Sequence, residues 1–312
     1  MSNWDDFRFF LAVARAGRVT LAAKRLGTDH STVSRRIGAL EEMLGAVLFE
    51  RSPRGYVLTP QGAQLLKSAE EIESTTLLAQ SQVSGSAREF AGSVRIASPE
   101  GFGSYFLARR LPSLLKDHPD LQLQVAAMPT LLSLTRREAD IVISLARPTT
   151  GRIHARKLTD YRLGLYAAPS YLEDHPPIES VADLRQHVFI AYDSAVPYPE
   201  VDYLAEIADD IKPQLTSVNL FSQLLATMSG FGLCVLPHFV AGHRTDLRRV
   251  LPREVLITRS YWLTVHSDLR GLGRIRLVSD FIAREVAAHR TMFLPAVTEP
   301  DGEPLVAPAQ QD

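Results

Sequence analysis

The segment from Val19 to Thr59, VTLAAKRLGTDHSTVSRRIGALEEMLGAVLFERSPRGYVLT, constrains this chain more than any other stretch. Leu21, Ala22, Ala23 and Leu26 form a short helix whose alanines let another helix come close, and Gly27 supplies the left-handed residue that stops it. Asp29 is an N-cap for a second helix. On that helix Val33, Ile37, Leu40 and Leu44 recur every three or four residues as one apolar face, while Ser31, Thr32, Ser34, Arg35 and Arg36 fall on the front and flanks. Two helices joined by a three- to four-residue turn make a helix-turn-helix, whose second helix presents its N-terminal residues to base edges in the major groove of double-stranded DNA. His30, Ser31, Thr32, Ser34 and Arg35 occupy that end.

The next residues extend the motif. Val47, Leu48 and Phe49, then Tyr56, Val57 and Leu58, read as two short strands around a Pro-Arg-Gly turn, which predicts Arg51 and Arg54 at the tip of a basic hairpin. Ahead of the motif, Phe7, Phe10, Leu11 and Ala14 give a first helix with one apolar face. A winged helix-turn-helix over residues 1–60 is expected, with Arg36, Arg51 and Arg54 directed to phosphates or the minor groove.

Charge supports the division. The net charge of −1 hides a segregation: residues 1–60 carry nine arginines and lysines against six acids, a balance of +3 that leaves −4 for the rest. Phosphate contacts provide the non-specific part of DNA affinity, so the local balance matters more than the total.

From Pro60 to about Arg88 the chain has no further proline. Thr59 as N-cap and Pro60 at the first helical position open a helix, in which Leu65, Ala69, Ile72, Thr76, Ala79 and Val83 form a heptad seam half made of Ala and Thr. Periodicity alone serves two readings equally, a helix paired with its counterpart in a second subunit or one lying on its own domain. Residues 61–90 are taken as a linker and dimerisation helix, and Ser84-Gly85-Ser86 as a hinge.

Beyond Gly92, short apolar strands alternate with amphipathic helices. Ser93–Ala97, Leu121–Ala126, Asp140–Leu145, Leu163–Ala168, Val188–Ala191, Leu215–Val218, Leu233–Leu236 and Tyr261–His266 read as strands. Phe102–Lys116, Leu220–Met228 and Arg274–His289 read as the main helices. This is an α/β body over 91–292. The Pro-, Ala- and acid-rich segment 293–312 has little to bury and is expected to be a disordered tail.

Ligands of such bodies bind where strands end and helices begin, because free backbone N–H groups converge there. Ser98 follows the first strand, Thr130 precedes a helix over Leu131–Arg137, and Ser217 with Asn219 precedes Leu220–Met228. Each is also a plain N-cap. Tyr192 and Asp193, after the Val188–Ala191 strand, are further candidates, and Glu100 so close to Ser98 argues against assuming an acidic ligand.

Catalytic patterns are missing: there is no Gly-x-Ser-x-Gly elbow, no Walker loop and no Gly-x-Gly-x-x-Gly after a strand. The single cysteine, Cys234, sits in the apolar run GLCVLP as a structural thiol, and the nine histidines are scattered without ligand spacing, so neither an enzyme, a cofactor nor a metal site is expected. No apolar run reaches eighteen residues and Asp5 and Asp6 stand near the start, so neither a membrane span nor an export signal is expected, and the cytoplasm is the expected location.

The blocks WDDFRFFLAVARAG, LAAKRL and STVSRRIGALEEMLGAVLFERSPRGYVLTPQG, with a matching downstream half, resemble the LysR-type transcriptional regulators over nearly the whole chain. Thr28 stands where that family commonly has an apolar residue, and His30-Ser31 where it commonly has Gln-Pro, which bears on the operator sequence and not on the fold. The resemblance implies an α+β multidomain chain: a winged helix-turn-helix, a linker helix, and an effector-binding domain of two Rossmann-like subdomains of periplasmic-binding-protein type. These would be subdomain 1, about 91–160 and 267–292, and subdomain 2, about 161–266, with crossings near Asp160–Arg162 and Tyr261–His266. It also implies a homodimer or homotetramer joined through the linker helix, operator DNA and RNA polymerase as partners, and a small-molecule effector held against Ser98, Thr130, Ser217 and Asn219. A solute-binding receptor would share the α/β half, but would need an export signal and have no use for a winged helix.

Overall fold

The computed structural model describes residues 4–52, 55–83, 89–127, 139–148, 152–193, 199–208 and 210–295. Two compact units emerge, one from the N-terminal residues through Phe90 with the turn His266–Gly273, the other from residues between Ala91 and Val265 and from Arg274 onward. The turn was expected to belong to the α/β body. It falls to the first unit because its 3-10 segment Ser267–Leu269 packs on the long helix α4 described below.

The first unit contains α1 (Trp4–Ala16), α2 (Val19–Leu26), α3 (His30–Leu44), the hairpin β1 (Phe49–Ser52) and β2 (Gly55–Leu58), and α4 (Pro60–Val83). Phe10, Val13, Ala22, Val33, Ile37 and Leu40 are buried together, and the Phe10 and Phe49 rings lie 5.3 Å apart. Asp29 caps α3 through its side chain, as its residue type requires. Leu44, expected in the core, is 42% exposed because the last turn of α3 runs past the other helices.

The hairpin begins two residues later than expected. Arg51 therefore lies within β1, opposite Tyr56, and Pro53 and Arg54 lie outside the described residues. Its position is locked from behind: the Tyr56 N–H donates to the Gly17 carbonyl at 2.8 Å. A Cβ on Gly55, at φ 131°, would stand 2.2 Å from that oxygen, so only glycine fits.

The seam of α4 is divided. Leu65, Leu66 and Ala69 pack onto the core of their own unit, and Arg15 of α1 donates to both Glu73 oxygens at 3.1 and 2.6 Å. Ile72 and Ala79 are exposed. The first half of the helix thus follows the single-domain alternative, and the exposed positions begin at Ile72. The proposed hinge at 84–86 and residues 296–312 of the expected tail lie outside the described residues. The expected start of that tail at 293 is corrected, because Phe293 closes the helix Arg290–Phe293 and is fully buried.

The second unit holds β3 (Gly92–Ser98), β4 (Leu121–Ala127), β5 (Ile141–Ser144), β6 (Ile153–Ala167), β7 (Phe189–Ala191), β8 (Leu215–Thr216), β9 (Leu233–Pro237), β10 (Arg248–Val250) and β11 (Ile257–His266). Its helices are α5 (Leu111–Asp117), α6 (Pro169–Asp174), α7 (Leu204–Ile207), α8 (Leu220–Met228), α9 (His238–Ala241), α10 (Gly273–Ala288) and α11 (Arg290–Phe293). The strand order is β4-β3-β5-β11-β6-β9-β7-β8, with β10 added to β6. β3 is parallel to β4 and β5, and β7 is parallel to β8 and β9. β11 and β6 enter antiparallel to β5 and β9 respectively, so these two strands carry the chain between two α/β subdomains.

Three expectations are corrected here. The helix Phe102–Lys116 is split into a π-helical segment, Phe102–Leu107, and α5, because Pro112 lacks an N–H and its ring would clash with the Ala108 carbonyl of a continuous helix. The strand expected at Leu163–Ala168 starts ten residues earlier, at Ile153; its polar first half showed no apolar run. β10, only three residues long and opening on two arginines, was not anticipated.

His238, buried where α9 leaves β9, shares a hydrogen bond through Nδ1 with the Tyr166 hydroxyl. Burial, then Arg249 and Arg162, push its pKa down to about 3. The native state keeps it neutral while the unfolded chain binds a proton below about pH 6.5, so its contribution to stability is lost as pH falls from 6.5 towards 3. In His238→Gln, which keeps a partner for Tyr166 and cannot titrate, thermal melts should show a shallower decline over that window.

Candidate functional site

The front of α3 is organised by Asp29. Its carboxylate accepts the Thr32 N–H and the Thr32 hydroxyl, both at 2.8 Å, and the Ser31 hydroxyl. The Ser31 bond, then those of Thr32, hold this carboxyl well below the usual carboxylate range. The Ser31 and Thr32 hydroxyl protons are thereby spent, which leaves both oxygens as acceptors. His30 and Arg35 are exposed, and neither side chain makes a hydrogen bond or ion pair with any described residue. Ser34 is partly exposed beside them.

Arg36 corrects the expectation of a phosphate contact. One helical position from Arg35, it turns back to α1, with its guanidinium 2.9 Å from Asp6, 4.0 Å from Asp5 and 5.7 Å from the centre of the Phe9 ring. Its charge is already compensated inside its own unit. Of the hairpin cations, Arg51 is placed by its backbone alone and Arg54 lies outside the described residues.

In the second unit the candidates meet through a residue that sequence reasoning noted only as a warning. Ser98 ends β3, its hydroxyl fully buried and without a partner among the described residues. Two residues on, Glu100 reaches the start of α8: one carboxylate oxygen accepts from Asn219 Nδ2 and the other from the Leu220 N–H, each at 2.7 Å. Leu220 provides one of the amides that a helix start leaves unpaired, so Glu100 occupies the anion-binding end of α8. Asn219 Oδ1 meanwhile caps the same helix by accepting the Ser222 N–H at 2.8 Å. Ser217 accepts the Asn219 N–H at 3.1 Å, and its carbonyl takes the side chain of Gln223, a 1% exposed residue not singled out from the sequence.

Tyr192 packs edge-to-face on Tyr203, with centroids 6.2 Å apart. Its phenol is pushed well above the usual range by burial first, then by Tyr203, Tyr261, Cys234 and Glu100. Asp193 accepts from the Thr216 hydroxyl at 3.4 Å, and Thr130 lies outside the described residues. Ser98, Glu100, Ser217, Asn219 and Tyr192 therefore gather at one end of the sheet. No spacing in the chain could have joined residue 100 to residues 219 and 220.

Burial raises the Cys234 thiol to about 12, which leaves it protonated and unreactive. Among the described residues no three His, Cys, Asp or Glu side chains gather as a metal site requires, and no helix is long and apolar enough to cross a membrane.

Residues 4–63 match the bacterial regulatory helix-turn-helix protein family, lysR type, and residues 87–287 match the LysR substrate binding domain. The chain belongs to the LysR family of transcriptional regulators. The mau operon transcriptional activator of Paracoccus denitrificans is 28% identical over 286 residues, 90% of this chain and 95% of that protein. The regulator DmlR of Escherichia coli is 31% identical over 304 residues, covering 93% and 96%. A full-length OxyR variant from Pseudomonas aeruginosa shares the fold at TM-score 0.71 and 17% identity, over 92% of this chain and 95% of that one. The LysR architecture accounts for both units: a winged helix-turn-helix and linker helix, then two Rossmann-like subdomains.

The Glu100 contact has a direct consequence for this LysR member. Asn219→Asp would set a second carboxylate against Glu100 where an N–H now donates, and should cost about 1–3 kcal/mol of stability at neutral pH. Because the pair would then hold a proton more tightly folded than unfolded, the loss should shrink as pH falls through the carboxylate range, as urea unfolding at several pH values would show.

Proposed function

We propose that this protein is a ligand-responsive, sequence-specific regulator whose DNA binding or promoter activation is set by a small molecule in the α/β cleft. The observation that carries the DNA half is the contrast between neighbouring arginines: Arg36 is neutralised within its unit, while Arg35 stands exposed and unpaired on the front of α3. In this reading His30, Ser31, Thr32, Ser34 and Arg35 meet base edges, and Arg51 and Arg54 of the hairpin meet phosphates or the minor groove. Arg36 is left out of the contact set.

Two copies would join along α4 from Ile72 onward, as a dimer or tetramer, to set two recognition helices on one operator. The domain boundaries proposed from the sequence, 1–60, 61–90 and 91–292, serve this scheme with the turn 266–273 reassigned to lie on α4. The effector would sit among Ser98, Ser217, Asn219 and Tyr192, with Asp193 and Thr130 as further candidates. It acts only if it binds two subdomain arrangements with different affinity. The family membership supports a cytoplasmic protein that meets operator DNA and RNA polymerase and carries out no catalysis.

Gel shifts on the intergenic DNA upstream of the chain's own gene, at stated salt, test the first half. Arg35→Ala should lower specific affinity about 5- to 150-fold with the effector domain still folded. Arg36→Ala should instead lower the melting temperature, and Arg51→Ala or Arg54→Ala should each flatten the slope of log affinity against log salt by about 0.9. Undiminished footprinting by Arg35→Ala removes this face from the assignment. For the cleft, Ser98→Ala combined with Asn219→Ala should abolish any ligand-induced thermal shift.

A further inference from the structure

We propose that the effector of this chain is a cation, bearing an ammonium or guanidinium group, and that Glu100 is the residue that binds it. The inference rests on the assignment of the cleft as the effector site and names the chemistry that the site accepts.

The start of α8 is where a carboxylate ligand would be expected to bind, because the unpaired amides and the positive end of the helix dipole point there. That place is taken by the chain's own carboxylate, bonded at 2.7 Å to Asn219 Nδ2 and at 2.7 Å to the Leu220 N–H. An arriving acid would have to displace Glu100 and then remain beside its charge.

Both groups that hold Glu100 are neutral. No lysine, arginine or histidine among the described residues pairs with it, so its charge is uncompensated, and each oxygen keeps an acceptor site. The surroundings suit a cation. Tyr192 lies within electrostatic reach of Glu100 and packs on Tyr203, and across the start of α8 Tyr105 stacks on Phe221 at 5.2 Å. A carboxylate with an aromatic ring within electrostatic reach attracts a cation through its charge, and the ring adds to that attraction where the cation meets its face.

A second observation points to a ligand at the same strand end. The Ser98 hydroxyl is fully buried, has no partner among the described residues, and lies against Gly103, where a Cβ would stand 2.5 Å from its oxygen. Buried hydroxyls are almost always hydrogen-bonded, and a polar group on a molecule seated beside Glu100 would provide the missing partner.

The test uses the full-length protein with two probe sets at equal ionic strength: amines and guanidines (ethylamine, putrescine, choline, agmatine) and carboxylates (acetate, succinate, benzoate). Thermal shift and calorimetry are read on wild type, Glu100→Gln, Glu100→Ala and Tyr192→Leu. At least one amine should stabilise wild type and no carboxylate should. Glu100→Gln should weaken that amine at least about 10-fold, as expected for loss of a charge-assisted bond. Tyr192→Leu, which leaves the two bonds of Glu100 in place and so guards against misfolding of the Glu100 variants, should weaken it about 3- to 10-fold. Acetate should bind Glu100→Ala, whose helix start is vacated, and not wild type.

Carboxylate binding by wild type equal to that of Glu100→Ala overturns the proposal, as does equal amine binding by wild type and Glu100→Gln, or the failure of every amine. Gel shifts on the same samples separate the two levels. Glu100-dependent amine binding that leaves DNA binding unchanged supports the charge preference and removes the effector role; a carboxylate that alters the wild-type gel shift does the reverse.

Discussion

The second unit depends on two strands. Every other strand of its sheet is hydrogen-bonded, directly or in sequence, onto β6 or β11, and these two are fastened to each other where they pass between subdomains. Tyr161 and Tyr261 stack at 4.1 Å with an interplanar angle of 11°, both about 2% exposed, and the Ser260 hydroxyl donates to Asp160 beside them. Phe102 lies 4.8 Å from Tyr261, and Phe239 and Phe293 complete the buried ring cluster. Burial pushes both phenols well above their usual range, so they stay neutral and the junction carries no charge that pH could alter near neutrality. A close-packed aromatic junction resists compression and shear but permits small rotations about the strand pair. Relative motion of β3 and α8, which stand on opposite sides of that pair, is the freedom the architecture leaves.

In the first unit the corresponding constraint is that the recognition helix, the hairpin and the linker helix share one core. Glu41 of α3 accepts the N–H groups of Leu48 and Phe49, at 2.7 and 3.2 Å, and so ties the recognition helix to the first hairpin strand. Thr59 accepts the Gly62 N–H and donates to the Val47 carbonyl, which fixes the start of α4 to the base of the hairpin. Arg15 then clamps α4 at Glu73. With these ties in place, the direction of α4 determines the direction of α3. In the dimer proposed above, moving the linker helices would change the spacing of the two recognition helices without refolding either head.

Local features were legible in the sequence because their causes are local. The Asp29 cap, the Gly27 stop, the Thr59-Pro60 start of α4 and the whole of α8 follow from residue types within one helical turn, and each stands where those types put it. What escaped was decided across the fold. Arg35 and Arg36 are indistinguishable by composition, and only the position of Asp6 on α1 separates a free cation from a neutralised one. The seam of α4 could not show that Leu65 and Ala69 are claimed by the core of their own unit while Ile72 is not. Pro112 divides the helix expected over Phe102–Lys116, a break that apolar periodicity does not register. In the cleft, Ser98, Ser217 and Asn219 were picked out as hydroxyl and amide groups at strand ends, but the residue that unites them, Glu100, bonds across some 120 positions of sequence.

That bond also fixes the sign that any switch here must obey. A ligand shifts an equilibrium only by its difference in affinity for the two states. While Glu100 is seated on α8, the partial positive charge of the helix start lies directly behind its carboxylate and opposes a cation on its other side. Once β3 and α8 separate, the carboxylate meets the cation without that opposition, and the amides it leaves are open to water. On the cation proposal, a cation would therefore bind the separated arrangement more tightly and favour the departure of Glu100 from the helix. An anion would favour the same arrangement, since Glu100 must leave the helix start before it enters, but it would then stand beside the displaced carboxylate. An anion would compete with Glu100 for the helix start, whereas a cation would compete with the helix start for Glu100 and would be attracted by the residue it moves.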